Sequence, residues 1–282
     1  MTVASLVDVL TPALDQGYGV AGLVVLGWED ACAFVAAAEE LRCPVILQAG
    51  PGCRAHTPVS VLGPMFRALA EQAQVPVVCH IDHATTISEC QAGIDHGFTS
   101  VMIDGSRLKL ADNIALTAAV RDIAHPHGVS VEAEIGFVGY DEGVVSQPTK
   151  PDEAVELVKQ ACPDALAISV GNVHLQTSAG AEIDRSALAA IETVVNCPLV
   201  LHGASGIREE DRHWLATNTK VCKFNVGTEL RQAFGTALRN VLASDTKLFD
   251  RNQILSGVKP ALIAQTKTVL KSIQSQGRIK IS

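Results

Sequence analysis

Residues able to do metal and proton chemistry gather at the ends of short apolar runs. His80-Ile81-Asp82-His83, Val170-Gly171-Asn172-Val173-His174 and Leu201-His202-Gly203 each bring histidine to such an end. Three neutral imidazoles with an open fourth position suit a catalytic zinc, whereas structural sites usually close the shell with cysteine. Such an ion polarises a carbonyl or activates a water. The competing reading leaves the histidines donating to backbone in a polar rim, and it is preferred for His56, His96, His125, His127 and His213, which fall in loops or at helix ends. Asp82, Asp104, Glu132 and Glu134 add carboxylates, the last two spaced by two and therefore on one face of a strand. A carboxylate in an apolar setting needs a partner or a metal. No Lys or Arg lies within the third to sixth runs to supply that partner locally.

A second chemistry stands apart from the histidines. Gly203-Ala204-Ser205-Gly206 and Gly227-Thr228 each end an apolar run and open a helical stretch. Glycine lets backbone N–H groups approach an anion, and hydroxyls and helix N-termini add favourable charge. This is a phosphate site, or else simply a tight turn.

The elements that position these residues repeat along the chain. Apolar, β-branched runs span Gly19–Leu26, Pro44–Gln48, Pro76–Ile81, Ser100–Asp104, Ser130–Ile135, Ala165–Val170, Pro198–Leu201 and Lys220–Val226. Between them lie stretches with apolar residues at three- and four-residue spacing, such as EDACAFVAAAEEL and DEAVELVKQA. Strands alternating with helices give a parallel sheet, and eight units give a closed α/β (β/α)8 TIM barrel. No G-x-G-x-x-G follows the first strand, which counts against an open doubly wound sheet. Extra terminal helices are expected from about Val3 to Gln16 and from about Gly257 to Gln276, within one domain over residues 1–282. In such a barrel the active site lies at the C-terminal ends of the strands, where the histidines and carboxylates fall.

Composition narrows the partners. Acidic residues number 30 against 22 basic ones, a net charge of −8, with no basic patch to follow a nucleic-acid backbone. No apolar run has the length of a membrane span and no leader is evident, so a cytoplasmic location is expected. The eight cysteines form no C-x-x-C pair and read as reduced core thiols.

Taken together, the motifs HIDH (His80–His83), GFTSVMIDGS (Gly97–Ser106), GVSVEAEIG (Gly128–Gly136), PLVLHGASGI (Pro198–Ile207) and KFNVGTELRQAF (Lys223–Phe234) resemble the class II, metal-dependent fructose- and tagatose-bisphosphate aldolases, especially the shorter tagatose-bisphosphate branch. The resemblance runs along nearly the whole chain. It implies that His83, His174 and His202 hold a catalytic Zn2+, and that Asp104 and Glu134 border the metal and can hold it in an alternative position. Asp82 is implied as the acid at the aldehyde oxygen and Glu142 as the mobile-loop group that moves the donor's proton. Gly203, Ser205, Asn225, Gly227 and Thr228 would receive the phosphate of dihydroxyacetone phosphate, with a monovalent cation, Na+ or K+, nearby. A small-molecule sugar phosphate is the implied partner, and a homodimer or homotetramer the implied assembly.

The chain also departs from that pattern. Ala21 to Gly27 lacks the asparagines usual near the aldehyde half, Ala49 replaces the hydroxyl usual before Gly50-Pro51-Gly52, and Leu175 stands where glycine usually follows the second zinc histidine. The loop after Glu142 is short. The first two changes lie on the acceptor side and imply an aldehyde other than glyceraldehyde 3-phosphate, whereas Leu175 replaces a glycine whose amide usually meets the donor phosphate. Two rival functions stay open at this point: a zinc-dependent hydrolase on the same barrel, and an aldolase-like subunit without catalysis.

Overall fold

All eight apolar runs form strands, and they pair in chain order until the last meets the first. The computed structural model describes residues 2–139, 143–178 and 180–279. The barrel strands are β2 (Val20–Val24), β3 (Val45–Ala49), β4 (Val77–Ala84), β5 (Ser100–Ile103), β6 (Ser130–Ile135), β7 (Ala165–Ile168), β8 (Leu199–Leu201) and β9 (Val221–Val226). Every neighbouring pair is parallel, and β9 closes on β2 with Val20 opposite Lys223 and Gly22 opposite Asn225. Closure leaves no edge strand among these eight.

The chain start differs from the expected helix. Val3 and Ala4 form a short strand, β1 (Val3–Ala4), beside Val77 and Val78 of β4. Helix α1 (Leu6–Gln16) begins only after Ser5, whose hydroxyl accepts from the Asp8 N–H while the Asp8 carboxylate accepts from the Ser5 N–H. That reciprocal cap fixes the boundary. Two residues are too few to show a strand period, which is why this pairing is not legible beforehand. Leu6, Val9, Leu10 and Ala13 of α1 pack with Val20, Ile46, Val78, Ala165 and Val200, so the helix plugs the N-terminal end of the barrel.

The outer helices are α2 (Trp28–Leu41), α3 (Pro51–His56), α4 (Val59–Gln72), α5 (Ile87–Asp95), α6 (Leu110–Ala124), α7 (Pro151–Ala161), α8 (Arg185–Val194), α9 (Glu209–Asn218), α10 (Thr228–Ser244) and α11 (Arg251–Ser272). The last starts earlier than expected: Asp250 caps it by accepting from the Gln253 N–H, and Gly257 lies inside it. The larger core lies between these helices and the outward faces of the strands, around Phe34, Leu62, Phe66, Phe98 and Leu157.

Alternate strand residues point into the barrel. Above the apolar plug this interior turns polar: Gln48, His80, Ser100, Glu132, Lys223 and His202 are buried there. Among the described residues no helix is long and apolar enough to cross a membrane.

Candidate functional site

Strand β4 delivers His83 by an unusual route. The β4–β5 register shifts between Ile81 and Ala84, and His83 takes a left-handed backbone with φ 51°. A bulge of this kind re-aims one side chain, and a non-glycine residue at positive φ is strained. Arg54 of α3 holds the distorted strand end: its guanidinium donates to the carbonyl oxygens of Ala49, Asp82 and His83 and pairs with Glu89 at 3.2 Å. His202 closes β8, and its carbonyl accepts from the Asn172 side-chain amide at 3.0 Å. The His174 N–H donates to Gly139 O at 2.8 Å.

The three imidazoles converge. Ring centroids of His83 and His202 lie 4.6 Å apart, those of His83 and His174 5.3 Å, and those of His174 and His202 5.6 Å. Each offers a ring nitrogen within 4.8 Å of the others, and His83, Asp104 and Glu134 form a second such group. Asp104 accepts from His83 Nδ1 at 2.9 Å and is itself held by the Ser106 hydroxyl and N–H. The other ring nitrogen of His83 is thereby free for a metal.

Polar atoms at the centre test whether a cation fits. His202 Nδ1 and Glu134 Oε2 are 3.4 Å apart, both buried, and neither has a hydrogen-bond partner. Orphaned buried acceptors cost about 1–3 kcal/mol each or more, and a shared cation removes that cost. Three imidazoles backed by carboxylates are a donor set that zinc accepts.

Electrostatics separate these groups. Burial opposes charge on His83, but Asp82, the hydrogen bond with Asp104 and Glu134 outweigh it and raise the ring to about 10. Burial first, then the neighbouring His202 and His83, lowers His174 to about 3. His202 is also held well below the ordinary histidine range by burial and His83. Burial and the charge of Asp104 raise Glu134 to about 8. Burial works against ionised Asp104, yet its hydrogen bond with His83 holds it below the carboxylate range. Neutral His174 and His202 are the form in which imidazole binds a metal.

Beside the imidazoles opens a cavity of about 320 Å³, lined on one side by Gly203, Ser205, Gly227 and Thr228. The Ser205 hydroxyl accepts from the N–H groups of Gly227 and Glu229 at 3.3 and 3.4 Å, joining the β8 turn to the start of α10. Gly203 has φ 66°, and a Cβ there would lie 2.1 Å from Val173 O. Asn225 donates to Asp82 Oδ1 at 3.3 Å, which places both at the cavity floor. Val24, Leu26, Pro51 and Cys53 also line it, together with Gly50, Gly52 and Thr85.

Of the residues singled out in sequence, Asp82, His83, Asp104, His174, Gly203, Ser205, Asn225, Gly227 and Thr228 line this cavity, and His202 and Glu134 adjoin it. Glu142 lies outside the described residues. Glu132 finds its base outside the third to sixth runs. Lys223, across the barrel on β9, donates to it at 2.5 Å with both side chains fully buried. Arg54 and Arg231 were also missed. Arg54 serves backbone carbonyls, which leave no sequence pattern; Arg231 lines the cavity one turn into α10 from Thr228, where the glycine-opened helix start was the available signal.

The family model for class II fructose-bisphosphate aldolase matches residues 4–278. A fructose-bisphosphate aldolase of Geobacillus stearothermophilus is 35% identical over 285 residues, covering 99% of each protein. Among solved structures, the YdjI aldolase of Escherichia coli K12 superposes with a TM-score of 0.85 at 29% identity, covering 99% of this chain and 100% of that one. A putative fructose-1,6-bisphosphate aldolase of Coccidioides immitis gives 0.83 at 26% identity, covering 95% of each. With the barrel, the converging histidines and the glycine-lined helix start already in place, these likenesses settle the family: the chain belongs to the class II fructose-bisphosphate aldolases, which are metal-dependent lyases.

Proposed function

We propose that this aldolase uses zinc to join dihydroxyacetone phosphate to an aldehyde other than glyceraldehyde 3-phosphate, and cleaves the matching ketose phosphate in reverse. The convergence of His83, His174 and His202 on one point, with His202 Nδ1 buried and unpartnered, carries the reading. Zinc held there would supply Lewis acidity at the donor's carbonyl. Asp104 and Glu134, which form a second possible ligand group with His83, would border such an ion and could hold it in an alternative position.

The remaining work falls to the chain. Ser205, Asn225 and Thr228, with the backbone of Gly203 and Gly227, bind the donor phosphate at the start of α10. Asp82 holds the proton that passes to the aldehyde oxygen, and the Asn225 amide fixes that carboxylate. Glu142 is the group assigned to the donor's carbon-bound proton.

The acceptor reading rests on the apolar wall. Val24, Leu26, Pro51 and Cys53 bring no side-chain hydroxyl, amide or cation to a second phosphate, which leaves Thr85 as the lining hydroxyl outside the Ser205 and Thr228 turns. Arg54 is committed to three carbonyls, and the Arg231 guanidinium lies against Gly227, on the donor side. The family adds a sodium or potassium ion near the donor phosphate, a homodimer or homotetramer, and a cytoplasmic location.

The test offers dihydroxyacetone phosphate with a panel of aldehydes, glyceraldehyde 3-phosphate included, to the zinc-loaded protein, with and without chelator and beside His83→Ala. Chelator-sensitive condensation with a preferred aldehyde, absent in His83→Ala, is the expected result. Fructose bisphosphate as the best substrate overturns the acceptor reading. Zinc binding without carbon–carbon chemistry or donor proton exchange overturns the reaction.

A further inference from the structure

Beneath the three histidines a buried chain of polar groups crosses the barrel interior. Ser100 Oγ lies 2.8 Å from His80 Nδ1, His80 Nε2 lies 3.3 Å from Lys223 Nζ, and Lys223 Nζ lies 2.5 Å from Glu132 Oε2. The other oxygen, Glu132 Oε1, lies 3.1 Å from His202 Nε2. His80, Glu132, Lys223 and His202 are all fully buried, so water does not substitute for any link.

Donor and acceptor counting orients the whole chain. A lysine ammonium only donates and an ionised carboxylate only accepts. Lys223 therefore donates both to His80 Nε2 and to Glu132. Glu132 must in turn accept from His202, which places the His202 proton on Nε2 and leaves the lone pair on Nδ1. That nitrogen is the buried, unpartnered atom facing Glu134 and the other two histidines.

We propose that Lys223 is a positioning residue for the metal centre: by fixing which way Glu132 accepts, it sets the tautomer of His202 and makes Nδ1 the metal-binding nitrogen. This rests on the metal position proposed above, but not on the substrate. Outer partners of this kind typically govern metal affinity by about 10–100-fold.

Glu132→Gln tests it by reversing the logic. The donors of Lys223 claim the amide oxygen, the amide NH2 then faces His202 Nε2, and the ring proton is forced onto Nδ1. Zinc affinity, read by chelator competition without substrate, is expected to fall about 100-fold, with altered visible bands in the cobalt-substituted protein. Adding Lys223→Met frees the amide to turn its oxygen toward His202, so the double variant should recover at least several-fold. A pair that merely supports the fold predicts no such rescue. Zinc affinity of Glu132→Gln equal to wild type, or a double variant no tighter than the single one, overturns the proposal. If the variants do not fold, long-range 1H–15N spectra of the metal-free wild type decide directly: a proton on His202 Nε2 is expected, and one on Nδ1 refutes it. Because every readout is tautomer or metal affinity, failure to find an aldehyde substrate leaves this result distinguishable.

Discussion

Two residues in the cavity carry unusual backbone or partners and make separable predictions. Asp82 accepts from the Asn225 amide at 3.3 Å, in keeping with an acid at the acceptor oxygen. Asp82→Asn keeps shape and hydrogen bonding but cannot give up a carboxyl proton. Condensation and cleavage should fall by about 10²–10⁴-fold, while exchange of the donor's proton with solvent, followed by NMR, should persist within an order of magnitude. Loss of both would move Asp82 to the donor half. Leu175 follows His174 with φ 59°, is half exposed, and lines the cavity. Left-handed backbone costs a non-glycine residue about 1–2 kcal/mol, against about 0.5–1 kcal/mol of extra entropy for glycine. Leu175→Gly is therefore expected to be neutral or slightly stabilising in thermal melts, and to lower KM for the donor by exposing the amide. An unchanged KM would mean that the amide does not meet the phosphate.

At the scale of elements, strand ends dictate what the sequence reveals. His83, His174, His202, Asp104 and Glu134 were legible because the alternation of strand and helix sends every such residue to one rim. Lys223 was not, because its partner Glu132 is 91 residues away and only barrel closure joins them. Val3 and Ala4 were misread as helix because two residues carry no period, and the β4 bulge leaves no mark in HIDH at all. The turn after β8 shows how an element transmits strain. Gly203 joins His202 to Ser205 with φ 66°, and a Cβ would press on Val173 O, the carbonyl preceding His174. Gly203→Ala should thus disturb two histidines and the phosphate turn together. We expect a loss of about 1–3 kcal/mol in stability and weaker zinc binding in the same titration. A stability loss with zinc affinity intact would show that the turn is decoupled from the histidines.

At the scale of the whole molecule, the closed barrel and its helices shield most thiols. Burial pushes Cys43, Cys79, Cys90, Cys197 and Cys222 up to about 12, and Cys53, in the cavity wall, up to about 11. Cys162, at the C-terminal end of α7, is exposed. Since the thiolate is the reactive form, native protein at pH 8 should take up iodoacetamide first at Cys162, while Cys79 and Cys90 stay unmodified until the chain is denatured. The same shifts set a direction for stability. A group whose folded pKa lies above its unfolded value gives its full contribution below the unfolded value, here about pH 9, and loses it as pH rises toward the folded one. Above pH 9 the unfolded chain releases thiol protons that the folded chain retains, so melting temperature in reducing buffer should fall steadily toward pH 11. Early alkylation of Cys79 or Cys90 at pH 8 would instead require the helices to part from the strands in the native state. In that case the rim that gathers the histidines would be a mobile assembly rather than a rigid one.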